Sequence, residues 1–154
     1  MLFNDWIATT IQEVGISWFD FYSIGHICFG VGLFLFFSLF YTIPKKKGKT
    51  PIFSLLFVFI LTMFFVILWE IIENTVFIFF DWKFEGRADS WQNITTDMIF
   101  GAIGALGSWL FAYLIFEKDK NAWGYYIFGF IGFALWLSVF IILRYITLKN
   151  SPII

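Results

Sequence analysis

The chain has 154 residues, of which 60% are hydrophobic and only 14% charged, where an ordinary soluble domain carries about a quarter. That length makes one domain, and a soluble core of that size cannot absorb so much apolar surface. The ten Lys and Arg lie in short segments between apolar runs and near the C-terminus rather than on a basic face, which excludes nucleic-acid binding; the single Cys28 excludes an internal disulfide and a thiolate-rich metal site.

Residues 1–20 place Leu2, Phe3, Trp6, Ile7, Ile11, Val14, Trp18 and Phe19 at mostly helical spacing among polar residues, which predicts an amphipathic helix lying in the membrane interface. A fifth crossing here would bury Asp5 and Glu13 in lipid at substantial cost. The segment has neither the positive n-region nor the long apolar core of a signal peptide, so targeting is expected to rest on the first hydrophobic helix.

Residues 21–150 read as a single transmembrane helical domain. Four stretches free of Asp, Glu, Lys and Arg, residues 21–44, 52–69, 98–116 and 121–143, are long enough to cross a bilayer at 1.5 Å per residue. The second continues as an apolar pattern to about Phe80, interrupted by Glu70, Glu73 and Asn74. The expected fold is therefore all-α: a polytopic membrane bundle of four transmembrane helices preceded by the interfacial helix. Gly101, Gly104 and Gly107, with Ala102, Ala105 and Ser108, predict a smooth packing face on the third helix, and Gly129 and Gly132 the same on the fourth.

The loops between spans one and two and between spans three and four share a side and hold Lys45, Lys46, Lys47, Lys49, Lys118 and Lys120. The positive-inside rule puts that side in the cytoplasm and both termini outside, as expected for the cytoplasmic membrane of a prokaryote. With this orientation the ionisable residues gather in the outer half: His26 early in the first helix, Glu70, Glu73 and Asn74 late in the second, Asp89, Asn93 and Asp97 at a repeat of four beginning the third, and Arg144 closing the fourth.

Ionisable groups at membrane depth are costly and mark functional sites. Glu70 and Glu73, with Asn74, share a helix face, and two carboxylates in low dielectric require a shared proton or a cation between them. Three chemistries fit. A divalent cation, magnesium, manganese or calcium by its oxygen-rich ligands, could be held by Glu70, Glu73, Asp97 and His26. The same residues could instead carry metal-free acid and base chemistry, or the network could only fix helix packing. Asn74, Asn93, Asp89 and Arg144 are the candidate substrate contacts, with Asn93 orienting the carboxylates and Arg144 meeting an anionic headgroup.

Tyr22-Ser23-Ile24-Gly25-His26, Trp69-Glu70-Ile71-Ile72-Glu73-Asn74 and Asp89-Ser90-Trp91-Gln92-Asn93-Ile94-Thr95-Thr96-Asp97, followed by the Gly-rich helix, together resemble a family of small, uncharacterised bacterial membrane proteins related to VanZ-like proteins, over residues 22–109. The resemblance implies a compact helical bundle with its polar residues on one side. Through the association of VanZ-like members with glycopeptide resistance it implies a lipid or cell-wall precursor as ligand. A looser likeness to lipoprotein signal peptidases is confined to Asn93 and Asp97; that family's Asp-Arg motif is missing.

The expected function is thus an enzyme or binding site for a membrane lipid or lipid-linked phosphate, reached from the outer leaflet. The rival is a non-catalytic scaffold or assembly subunit.

Overall fold

The computed structural model describes residues 6–83, 86–118 and 123–151, apart from the side chain of Tyr125. Four long helices, α1 (Phe21–Lys46), α2 (Leu55–Glu73), α4 (Trp91–Phe116) and α5 (Trp123–Asn150), are accompanied by the single turn α3 (Val76–Phe79). Three of them start at a side chain that takes the free amides of the first turn. Asp20 accepts from the N–H of Tyr22 at 2.7 Å and of Ser23 at 3.1 Å, and Ser23 Oγ accepts from the Asp20 N–H at 3.3 Å, a reciprocal cap on α1. Ser54 caps α2 through the Phe57 N–H at 3.1 Å, and Ser90 caps α4 through the Asn93 N–H at 3.2 Å.

Among the described residues, four segments are long and apolar enough to cross a membrane, Phe21–Lys46, Leu55–Phe79, Trp91–Phe116 and Tyr126–Asn150. The molecule is an all-α membrane bundle. The second span is broken at Asn74 and Thr75, between α2 and α3, because the Asn74 side chain bonds back to the Glu70 carbonyl at 3.0 Å and outward to the loop before α4. Helix α4 begins at Trp91, ahead of the charge-free stretch, so Asn93 and Asp97 lie in its first turns as expected and are buried inside the bundle.

α1 and α4 run parallel and form the largest interface, with α2 against both and α5 mainly against α1. Glycine makes the central contact possible: a Cβ on Gly30 would collide with the Gly101 carbonyl, one on Gly104 with the Ile27 carbonyl, and one on Gly101 would lie 2.7 Å from Val66 Cγ1. Gly129 packs on Leu35, where a Cβ would stand 2.6 Å from Cδ1, but Gly132 has nothing within 4 Å of that position and is not a packing glycine in the expected sense. At the Lys-rich end Phe34, Tyr41, Leu55, Val58, Ala112 and Ile115 form the core. There Glu117 takes hydrogen bonds from Tyr41 and from Lys45 Nζ, the latter at 3.0 Å, which hold its carboxyl below the usual carboxylate range.

The described part of residues 1–20 is not an amphipathic helix. It contains one 3₁₀ turn, Ile11–Glu13, within an irregular segment closed by backbone bonds between Ala8 and Phe19 at 2.7 Å and between Phe19 and Trp6 at 2.8 Å. Two local features defeat the helix. Glu13 turns back to accept from the Thr9 and Thr10 amides at 2.7 and 3.2 Å, and Gly15 adopts φ 73°. Leu2, Phe3 and Asp5 of that expectation, Lys120 of the basic loop, and Asn121 at the expected start of the last span lie outside the described residues.

This N-terminal segment is a cap over one end of the bundle. Val14 and Ala8 bury against Phe21, Phe140 and Leu143. Arg87 Nη2 donates to the carbonyls of Gln12 and Val14 at 2.7 and 2.8 Å, Ser90 bonds to Gly15 and Ile16, and the Ile11 N–H donates to Ser151 Oγ at 3.0 Å.

Candidate functional site

Beneath the cap, the start of α1, the end of α2 and the start of α4 bring His26, Glu70, Glu73, Asn74, Asp89, Asn93 and Asp97 to one end of the bundle. His26 lies between two carboxylates, with Nδ1 3.2 Å from Glu70 Oε1 and Nε2 3.6 Å from Asp97 Oδ2. All three residues are buried, at 6%, 4% and 3% exposure. His26, Glu70 and Glu73 each offer a ligand atom within 4.8 Å of the others. Asp97 stands on the far side of the imidazole, outside that group of three.

The polar residues divide into two sets by how fully they are bonded. One is a bonded frame. Asn93 Nδ2 donates to the Ser17 carbonyl and to Asp20 Oδ2, both at 3.1 Å, so it fastens the cap and does not orient Glu70 or His26. Asn74 Oδ1 accepts from the Asp89 N–H at 2.7 Å and from Lys83 Nζ at 3.1 Å. Lys83 also pairs with Asp89 and lies 3.9 Å from Glu73. Asp89 is not on the face of α4, as its spacing predicts, but in the loop before the Ser90 cap.

The other set is under-bonded. Both carboxylate oxygens of Glu70, Nδ1 of His26 and Oδ1 of Asp97 are buried without a hydrogen bond among the described residues, Glu70 Oε1 and His26 Nδ1 meeting only each other, at 3.2 Å and outside hydrogen-bond geometry. Buried polar groups are ordinarily paired, and an unpaired one costs about 1–3 kcal/mol, more if charged. Of these residues His26 lines a cavity, while Glu70 and Asp97 lie outside its lining.

That cavity has a volume of about 300 Å³. His26, Glu73 and Lys83 supply its polar end; Phe29, Trp69, Phe77 and Trp136 are among its walls. The Trp136 indole Nε1 is likewise buried without a partner among the described residues.

Arg144 does not join this site. It is exposed on α5, its guanidinium 6.0 Å from the Phe140 ring centre. Three participants escaped the sequence reading. Lys83 reads as an ordinary loop lysine, Asp20 as part of an interfacial helix, and Trp136 as one of many membrane aromatics. The only sequence signal for Lys83 is its place close after a span that already holds two glutamates.

Searches of curated proteins and of solved structures find no match to this chain. A family profile described as "Predicted membrane protein (DUF2238)" matches residues 3–118, which takes in the cap, the first three spans and every ionisable residue of the cluster. The chain belongs to this family of membrane proteins.

Proposed function

We propose that the protein is a divalent-cation-dependent site for a phosphate-bearing lipid or lipid-linked small molecule, at the outer face of a prokaryotic cytoplasmic membrane. One observation carries the reading: Glu70, buried to 4% exposure, has neither carboxylate oxygen hydrogen-bonded among the described residues while facing His26 and Glu73 at ligand distances.

His26 Nδ1, Glu70 and Glu73 would hold the cation, and the oxygen-rich set favours magnesium, manganese or calcium. Asp97, with Oδ2 3.6 Å from Nε2, would accept a hydrogen bond from Nε2–H on closer approach and fix the tautomer that leaves Nδ1 free, as carboxylates behind metal-bound histidines do. The cation would offset a local excess of carboxyl groups, since Asp20, Glu70, Glu73, Asp89 and Asp97 share this end with Lys83 and Arg87. Facing the cavity, it would polarise a phosphoryl oxygen, with Lys83 beside it for an anionic headgroup. The resemblance of its motifs to VanZ-like proteins agrees with a lipid or cell-wall precursor as ligand. The outward orientation rests on the lysines of the two opposite loops.

The test is elemental analysis by mass spectrometry of the purified protein beside the Glu70→Gln/Glu73→Gln variant. Near-stoichiometric metal in the wild type, lost in the variant, is expected. Its absence from both would leave a proton-sharing carboxylate network and refute the cation-dependent reading.

A further inference from the structure

The cavity's position constrains how a ligand reaches it. From the cap side, residues 14–20 cover the cluster, with Val14 fully buried, Asn93 bonded to Ser17 and Asp20, and Gly15 packed so closely on Asp89 that no Cβ would fit. Behind His26 stands α4 with Asp97. Trp82 and Lys83 line the chamber from the loop after α3, and on its lateral side α2 and α5 each pack on α1 and present Trp69 and Trp136 to it. Phe29, Trp69, Phe77 and Trp136 all lie within segments of membrane-crossing length.

The wall chemistry agrees. Phe29, Trp69, Phe77 and Trp136 form a lining to which a hydrocarbon chain is suited, leading to a polar end at His26, Glu73 and Lys83. Trp136 adds a specific feature: its N–H is buried without an acceptor among the described residues, close over Gly25, where a Cβ would lie 3.0 Å from Nε1. A buried indole N–H ordinarily finds an acceptor. Trp136 lies in α5, beyond residue 118 where the family match ends.

We propose that a lipid enters this chamber laterally between α2 and α5, its hydrocarbon chain lying along the aromatic wall, and that Trp136 donates its indole N–H to an ester or phosphate oxygen of the bound lipid as a specificity-determining residue. The inference rests on the lipid-phosphate reading above and adds the route, the chain subsite and the donor.

The experiment uses the full chain in nanodiscs of phosphatidylcholine doped with phosphatidic acid carrying a diazirine midway along one acyl chain. Photolabelled positions are mapped by peptide mass spectrometry, and metal content is measured on the same samples. Labelling concentrated at Phe29, Trp69 and Trp136 is expected, competed by unlabelled phosphatidic acid and not by soluble glycerol phosphate. Trp136→Phe keeps the aromatic wall and removes the donor, so competition should weaken about tenfold, as for loss of one hydrogen bond in a dry site.

Labelling spread evenly over exposed lipid-facing residues such as Phe36, Ile60 and Leu106 would overturn the chamber. Unchanged competition in Trp136→Phe would overturn the donor. Metal present with the chamber unlabelled sinks this inference alone; a labelled chamber without metal sinks the cation and leaves the lipid route standing.

Discussion

Asp20 does two jobs at one position. As the cap of α1 it takes the amides of Tyr22 and Ser23, and with its other oxygen it takes the Gly15 N–H at 2.9 Å and Asn93 Nδ2 at 3.1 Å, joining the N-terminal segment to α1 and α4. Burial pushes its carboxyl above the usual range, outweighing the hydrogen bonds that favour the charged form. A carboxyl raised on folding contributes stability that is fully present below its unfolded value and is lost as pH rises through the folded one. Asp20→Asn should therefore unfold at lower temperature in detergent at every pH, having lost an acceptor for Gly15 and Asn93, yet show a shallower decline with rising pH than the wild type. Parallel curves for the two proteins would remove Asp20 from the pH dependence. The sequence reading passes over it because it falls at the end of the expected interfacial helix, and its second set of partners comes from Gly15 and Asn93. His26, Glu70, Glu73 and Asp97 were legible because charge at membrane depth is conspicuous in one dimension. Lys83 was not, because nothing local distinguishes a buried loop lysine from a solvated one.

At the scale of elements, the α1 and α4 contact depends on missing side chains. At Gly30 and Gly104 the obstacle to a Cβ is backbone carbonyl, which cannot rotate away, whereas at Gly129 it is the end of Leu35, which can. Gly104→Ala should lower thermal stability by about 1–3 kcal/mol or more, the usual range for overpacking. Gly32→Ala, with nothing within 4 Å of its Cβ position, is the matched control and should be neutral within about 0.5 kcal/mol. Equal melting temperatures in the two variants would show that the helices separate more easily than this packing implies. The four spans were readable because charge-free runs of bilayer length admit one structure, a helix. The N-terminal segment misled for the opposite reason. Its apolar residues have helical spacing, but Glu13 and Gly15 offer the backbone better local bonds, and Ala8 and Val14 bury against Phe21 and Phe140 from an irregular chain while Trp6, Ile7 and Ile16 stay exposed. Periodicity reports which residues seek burial, and here tertiary contacts chose the backbone that provides it.

For the molecule as a whole, the two ends differ in kind. One holds the capped, under-bonded cluster and its cavity; the other is closed by the Phe34, Tyr41 and Leu55 core and a Glu117 clasp. Such polarity has meaning only once the protein is oriented, and the proposed orientation rests on the lysines of the Lys45 to Lys49 loop and Lys118: moving them across the bilayer opposes both the positive-inside bias and their attraction to anionic lipid. In a Cys28→Ala background, which removes only a weak 3.4 Å contact to the Gly132 carbonyl, an Asn150→Cys variant should react with a membrane-impermeant maleimide on intact cells. A Lys49→Cys variant should react only after permeabilisation. Substituting Lys45, Lys46 and Lys47 by Glu should blur that contrast by producing a mixed population. If Lys49→Cys were the accessible position and Asn150→Cys the protected one, the cluster would face the cytoplasm, and the lipid that reaches the aromatic chamber would come from the inner leaflet. The chamber, its walls and its polar end would be unchanged by that result, because they depend on how the helices pack against one another and not on which way the bundle stands.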